Sequence, residues 1–128
     1  MTKITVPEDC GNAPKKILIR DFNTAFAENK IDKILEYMSD DITWNMVGNK
    51  VIKGKKEAEE MLKTMGGEAA HELIINTIIT HGDTAAADGV MKFPDTAIAF
   101  CDIYTFTNHS DNAKIRELTS YGIELKDR

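Results

Sequence analysis

The segment Ala97-Ile98-Ala99-Phe100-Cys101-Asp102-Ile103-Tyr104-Thr105-Phe106 decides how the rest of the chain is read. Its β-branched and aromatic residues and its length mark it as a strand, yet apolar and polar positions do not alternate cleanly. Both faces read as covered, and a single carboxylate, Asp102, sits in the middle. An ionised acid there loses much of its hydration, which is costly without partners. Asp102 is therefore the first candidate for a site residue.

Working outward, three more strand-like segments, at about 70–81, 84–93 and 113–125, flank this one, which extends over about 96–107. Their separators, His81-Gly82-Asp83, Pro94-Asp95 and Asn108-His109-Ser110-Asp111-Asn112, are too short for crossover helices, so the four should be antiparallel neighbours. Upstream, Gly54 precedes a helix from about Lys55 to Met65 with Ala58, Met61, Leu62 and Met65 on its apolar side, stopped by Gly66-Gly67. Before it, Ile42, Trp44 and Met46 alternate with Thr43, Asn45 and Val47, and Gly48-Asn49 turns into a brief Val51-Ile52 strand. Pro14 suits a first helical turn, and Ile17, Leu18, Phe22, Ala25 and Phe26 share one side of the helix it opens. A short second helix carries Ile31, Ile34, Leu35 and Met38, with Ser39-Asp40-Asp41 as its close. Residues 1–13 read as an N-terminal arm in which Ile4 and Val6 could add a strand, and 14–128 as one domain. The expected class is α+β.

The totals exclude several functions. A chain of 128 residues fits one core, and a net charge of -5 without any basic run argues against nucleic acid. Two cysteines, Cys10 and Cys101, do not make a disulfide scaffold, and no signal-like or membrane-spanning run appears. The expectation is a soluble cytoplasmic protein.

The order of Asp40-Asp41-Ile42-Thr43-Trp44, then Val51-Ile52-Lys53-Gly54 before a helix, then Cys101-Asp102-Ile103-Tyr104-Thr105-Phe106, then Lys114-Ile115-Arg116-Glu117-Leu118-Thr119-Ser120-Tyr121, resembles the nuclear transport factor 2-like superfamily, nearest its polyketide cyclase-like (SnoaL-like) branch. The resemblance covers about residues 15–125. It implies a cone-shaped fold, three helices packed on a curved, mostly antiparallel β-sheet around a pocket, with the convex side forming a homodimer. That dimer would account for a strand without a solvated face. The superfamily includes isomerases, cyclases, dehydratases, epoxide hydrolases and non-enzymatic binders, so the fold alone does not choose a reaction. Placed on this chain, the ketosteroid isomerase pattern puts the oxyanion-hole acid at Asp102, the oxyanion-hole tyrosine at Phe22 and the proton-shuttling aspartate at Met46. Neither Phe22 nor Met46 has the required group, so a standard ketosteroid isomerase is rejected.

Asp102 then reads as an acid–base group with a raised pKa, and Tyr104, on the same side by strand parity, as the residue that orients it or a ligand oxygen. The plainer reading is a buried carboxylate beside a core aromatic. The resemblance puts Phe22, Phe26, Trp44, Met46, Met61, Met65, Met91, Phe93, Phe100, Leu118 and Ser120 around the pocket. Such a set suits a small apolar or aromatic molecule, or simply fills a core. The resemblance puts Asp88 on the side opposite Met91, toward a dimer face or the sheet end, where a structural partner is expected. Asp40 and Asp41 read as a helix-to-strand turn. His71, His81 and His109 form no metal-ligand spacing, and no glycine loop suits a nucleotide, so neither metal nor cofactor is expected. Three functions remain open: a cofactor-independent isomerase, cyclase or dehydratase acting by proton transfer on an apolar carbonyl compound, a dimeric small-molecule binding protein, and a protein-interaction module.

Overall fold

In the computed structural model, which describes residues 2–7, 13–65, 67–108 and 113–125, the helical and extended segments fall close to where the periodicities put them. Cys10, Gly11, Asn12, Gly66 and the 109–112 separator lie outside the described residues. Helix α1 (Pro14–Ala27) begins at a proline, whose missing N–H is harmless in a first turn. It ends where Asn29 takes a positive φ of 58°, a conformation asparagine tolerates, and the Asn29 amide donates to the Gly67 carbonyl at 2.9 Å. Helix α2 (Ile31–Glu36) is short and leads directly into strand β2 (Met38–Met46). The predicted helix-closing Ser39-Asp40-Asp41 is thus already strand. The Ser39 hydroxyl donates to Asp41 at 2.8 Å, and the Asp40 side chain is fully exposed.

Strand β3 (Lys50–Lys53) returns antiparallel on β2, and Gly54, at φ +88°, swings the chain into helix α3 (Lys55–Met65). The remaining strands are β4 (Glu72–His81), β5 (Thr84–Lys92), β6 (Ala97–Phe106) and β7 (Ile115–Leu125), antiparallel neighbours as their short separators require. The arm does contribute a strand, β1 (Lys3–Thr5), which pairs parallel with β4.

The expected cone is not formed. The described strands make one open sheet in the order β1-β4-β5-β6-β7-β2-β3, with β1 and β3 as free edges at opposite ends. It is also mixed, because β1–β4 and β2–β7 pair in parallel. Alternation and turn length specify which strands are neighbours and which face is apolar. Closure depends instead on how twist and register offsets accumulate across all strands, and no local pattern records that.

All three helices lie on one face: α1 across β4 and β5, α3 across β2 and β3, and α2 between them against β2. Ile19 and Phe22 of α1, Ile34 of α2 and Leu62 of α3 bury against Trp44, Leu73, Tyr104, Phe106 and Leu118 of the sheet. The other face is largely bare. Ile79, Ile103, Tyr121 and Ile123 are exposed there, and so is Cys101, although its strand reads from the sequence as covered on both sides. The incomplete alternation of β6 therefore reflects an apolar outer face that no other element of the described chain covers.

Candidate functional site

Cross-strand register organises the helix-facing side of the sheet into rows. Trp44, Leu118, Tyr104 and Ala85 form one row across β2, β7, β6 and β5, and all four are buried. Met46, Ser120, Asp102 and Ala87 form the next, in which Met46 and Ser120 are half-buried. Beyond it lies Phe100, half-buried between Gly122 and Gly89. Asp102, 8 % exposed, thus stands at the border between a closed aromatic core and a half-open apolar margin.

The core side of that border is an aromatic cluster. Phe22 meets Tyr104 edge-on at 6.1 Å, Phe26 meets Trp44 edge-on at 6.0 Å, and Tyr104 stacks on Phe106. Polar groups within this cluster converge on Asp102. The Tyr104 hydroxyl donates to Asp102 Oδ2 at 3.3 Å, and the Ser120 hydroxyl, on the strand alongside, also bonds the carboxylate. Behind them, Asn23 Nδ2 donates to the Tyr104 oxygen at 2.8 Å and Trp44 Nε1 donates to Ser120 Oγ at 3.3 Å.

The electrostatics follow from that placement. Burial pushes the Asp102 carboxyl up from 3.8 to about 6, and the bonds from Ser120 and Tyr104 restrain the rise by favouring the charged form. Burial and the neighbouring Asp102 charge push the Tyr104 phenol well above its ordinary value, so it remains a proton donor at any physiological pH. A carboxyl titrating near 6, held by hydroxyls at the edge of an apolar margin, is equipped to take up and release a proton close to neutrality.

The nominated residues divide accordingly. Phe22, Trp44 and Leu118 are sealed in the core, whereas Phe26, Met46, Met61, Met91, Phe93 and Phe100 are half-buried around it. Met65 stands 47 % exposed at the end of α3. Asn23 was missed. The sequence signal for it is an amide four residues after Ile19 and three before Phe26, on the arc of α1 that faces the sheet. Trp44 contributes more than its shape, because its indole N–H is part of the polar chain.

A concavity of about 460 Å³ lies on the outer face, lined by Thr77, Ile79, Asp88, Cys101, Tyr121 and Ile123 among others. There Asp88 Oδ1 is buried without a hydrogen-bond partner. Among the described residues no group of three His, Cys, Asp or Glu is arranged to hold a metal ion, and no helix is long and apolar enough to cross a membrane.

The profile of the SnoaL-like domain matches residues 19–117. Of the solved structures similar to this chain, an NTF2-like protein of unknown function from Burkholderia xenovorans superposes with a TM-score of 0.73 at 13 % identity, over 94 % of this chain and 90 % of that one. An NTF2-like protein of unknown function from Cytophaga hutchinsonii gives 0.63 at 24 % identity, over 80 % and 93 %. An LEH-like epoxide hydrolase from M. tuberculosis gives 0.62 at 19 % identity, over 82 % and 79 %. No protein of curated function matches the sequence. At these identities the structural likenesses carry the fold alone, while the domain match spans most of the chain. The chain belongs to the SnoaL-like domain family.

Proposed function

We propose that this protein is a cofactor-independent enzyme that moves a proton on a small, largely apolar carbonyl compound, as an isomerase, cyclase or dehydratase does. Asp102 is the acid–base group, Tyr104 orients it, and Phe26, Met46, Met91 and Phe100 receive the apolar body of the substrate. The observation that carries this reading is the position of Asp102: buried enough to titrate near 6, yet at the half-open margin of the core. In an isomerisation, the carboxylate takes a proton from the carbon beside the carbonyl. The electron pair of that C–H bond moves into an enolate, and Asp102 returns the proton at another carbon. No oxidant or reductant is consumed.

The test is deuterium exchange in heavy water, followed by NMR, across a panel of apolar cyclic ketones. The native protein should accelerate exchange beside the carbonyl, and Asp102→Asn should reduce that acceleration by about 100-fold or more. Exchange that is equal in both proteins, or absent from both, overturns the reading.

One observation favours a second reading, a small-molecule binding protein using the same margin. Among the described residues the side chains bonded to Asp102 are hydroxyls, and none is a second base at ordinary pH. Ketone binding that survives Asp102→Asn without any exchange would establish it. In either case we assign the outer face to a second copy of the chain. The bare Ile79, Tyr121 and Ile123 and the orphaned Asp88 oxygen support that assignment.

A further inference from the structure

The donors and acceptors around Asp102 can be counted, and the count has a direction. An indole N–H only donates, so Ser120 Oγ must accept from Trp44. The one proton of the Ser120 hydroxyl is then free for Asp102, its cross-strand partner, whose charged form it favours. On the other side the Asn23 side-chain nitrogen lies 2.9 Å from the Ile19 carbonyl oxygen, an atom that can only accept. This fixes the amide with its NH2 group toward the core, and the same nitrogen is 2.8 Å from the Tyr104 oxygen. Tyr104 must therefore accept from Asn23, and its own proton goes to Asp102. Both arms end in groups that cannot reverse, and both deliver a proton to the same carboxyl.

We propose that Asn23 and Trp44 are positioning residues that set the proton direction of this chain, so that Asp102 rests as the proton acceptor of the site and not as its proton donor. The inference rests on the proton-transfer reading above and deepens it: the first step is removal of a proton from the substrate, which selects compounds with an acidic C–H beside a carbonyl. A protonated Asp102 needs an acceptor for its own hydrogen. Each hydroxyl contact holds one hydrogen, so Asp102 could donate to Tyr104 or Ser120 only if that hydroxyl turned its own proton away. The two donated protons favour the charged carboxylate and oppose the burial that raises its pKa. The other ionisable groups that feel its charge are Tyr104 itself and Cys101, which opens onto the outer face with Asp88.

The experiment is a carbon-detected NMR titration of the Asp102 side-chain carboxyl in the full chain, in the native protein, Asn23→Leu and Trp44→Phe. It needs no substrate. The native carboxyl should titrate below 7, and each variant should raise its midpoint by about one pH unit, a tenfold shift toward the protonated form. A structural role alone would lower thermal stability without moving the midpoint. Midpoints unchanged in folded variants, a downward shift, or a native carboxyl still protonated at pH 7 overturns the inference. Should Asn23→Leu fail to fold, Trp44→Phe and the native titration decide the matter. Loss of ketone exchange with the midpoints shifted as expected would overturn the enzyme reading alone, and exchange with unshifted midpoints would overturn only this one.

Discussion

Asp102 costs the fold stability wherever it is ionised. Its carboxyl titrates near 6 in the folded chain against 3.8 ordinarily, so between those values the folded state keeps a proton that the unfolded chain has released. Stability contributed by the neutral acid is whole below about pH 4 and is lost as the pH rises through about 6, by roughly 2–3 kcal/mol in all. The amide introduced by Asp102→Asn has no charge to bury. Urea denaturation of this variant and the native protein should therefore show a difference that grows in the variant's favour by that amount between about pH 4 and pH 7.5. An offset that stays constant with pH would mean that the carboxyl is not shifted. Gly89 makes a second claim at this scale. A methyl group there would run into the backbone carbonyl of Ile74, which cannot yield as a side chain would. Gly89→Ala should cost about 3 kcal/mol, read from its denaturation midpoint.

At the scale of elements, the site depends on where α1 lies on the sheet and on the parallel pairing of β2 with β7. Helix α1 brings Asn23 to Tyr104, and the β2–β7 register sets Trp44 beside Leu118 and Met46 beside Ser120. The β4–β5 pair contains an irregularity between Ile75 and Thr77, opposite Gly89, which explains why that strand's alternation breaks at Asn76. Strand β1 is a small addition: three residues on the β4 edge, with Thr2 bonding the Ala70 carbonyl and Lys3 that of His71. We read residues 14–128 as able to fold without the arm. A chain lacking residues 1–13 should keep its circular dichroism spectrum and lose about 1–2 kcal/mol, and an unfolded product would show that β1 is integral.

For the whole molecule, the uncovered outer face is the feature that still needs a partner. With Ile123 at 68 % and Ile79 at 60 % exposure, this face presents an apolar surface a lone chain would keep in water. Pairing of two copies there would cover it. Ile123→Lys should then shift the species seen by light scattering at micromolar concentration from dimer to monomer. It should also speed alkylation of Cys101, whose thiol lies on that face and is held protonated by burial and by the Asp102 and Asp88 charges. A native protein that is already monomeric would remove this interface.

Local pattern determined a good deal by itself. The period-two runs, the short separators and the Pro14 and Gly54 punctuation placed most elements to within a residue or two, because each depends on backbone preferences and on which face is apolar. The same parity put Asp102 and Tyr104 on one side of one strand. What tertiary structure decided is everything that depends on register between distant segments. Openness of the sheet arises from twist summed over its strands. The meeting of Asn23 with Tyr104, 81 residues apart, and of Trp44 with Ser120, 76 apart, arises from packing α1 on the sheet and pairing β2 with β7. A proton's direction along those contacts is a property of atoms a few ångströms apart in space, and spacing along the chain carries no record of it.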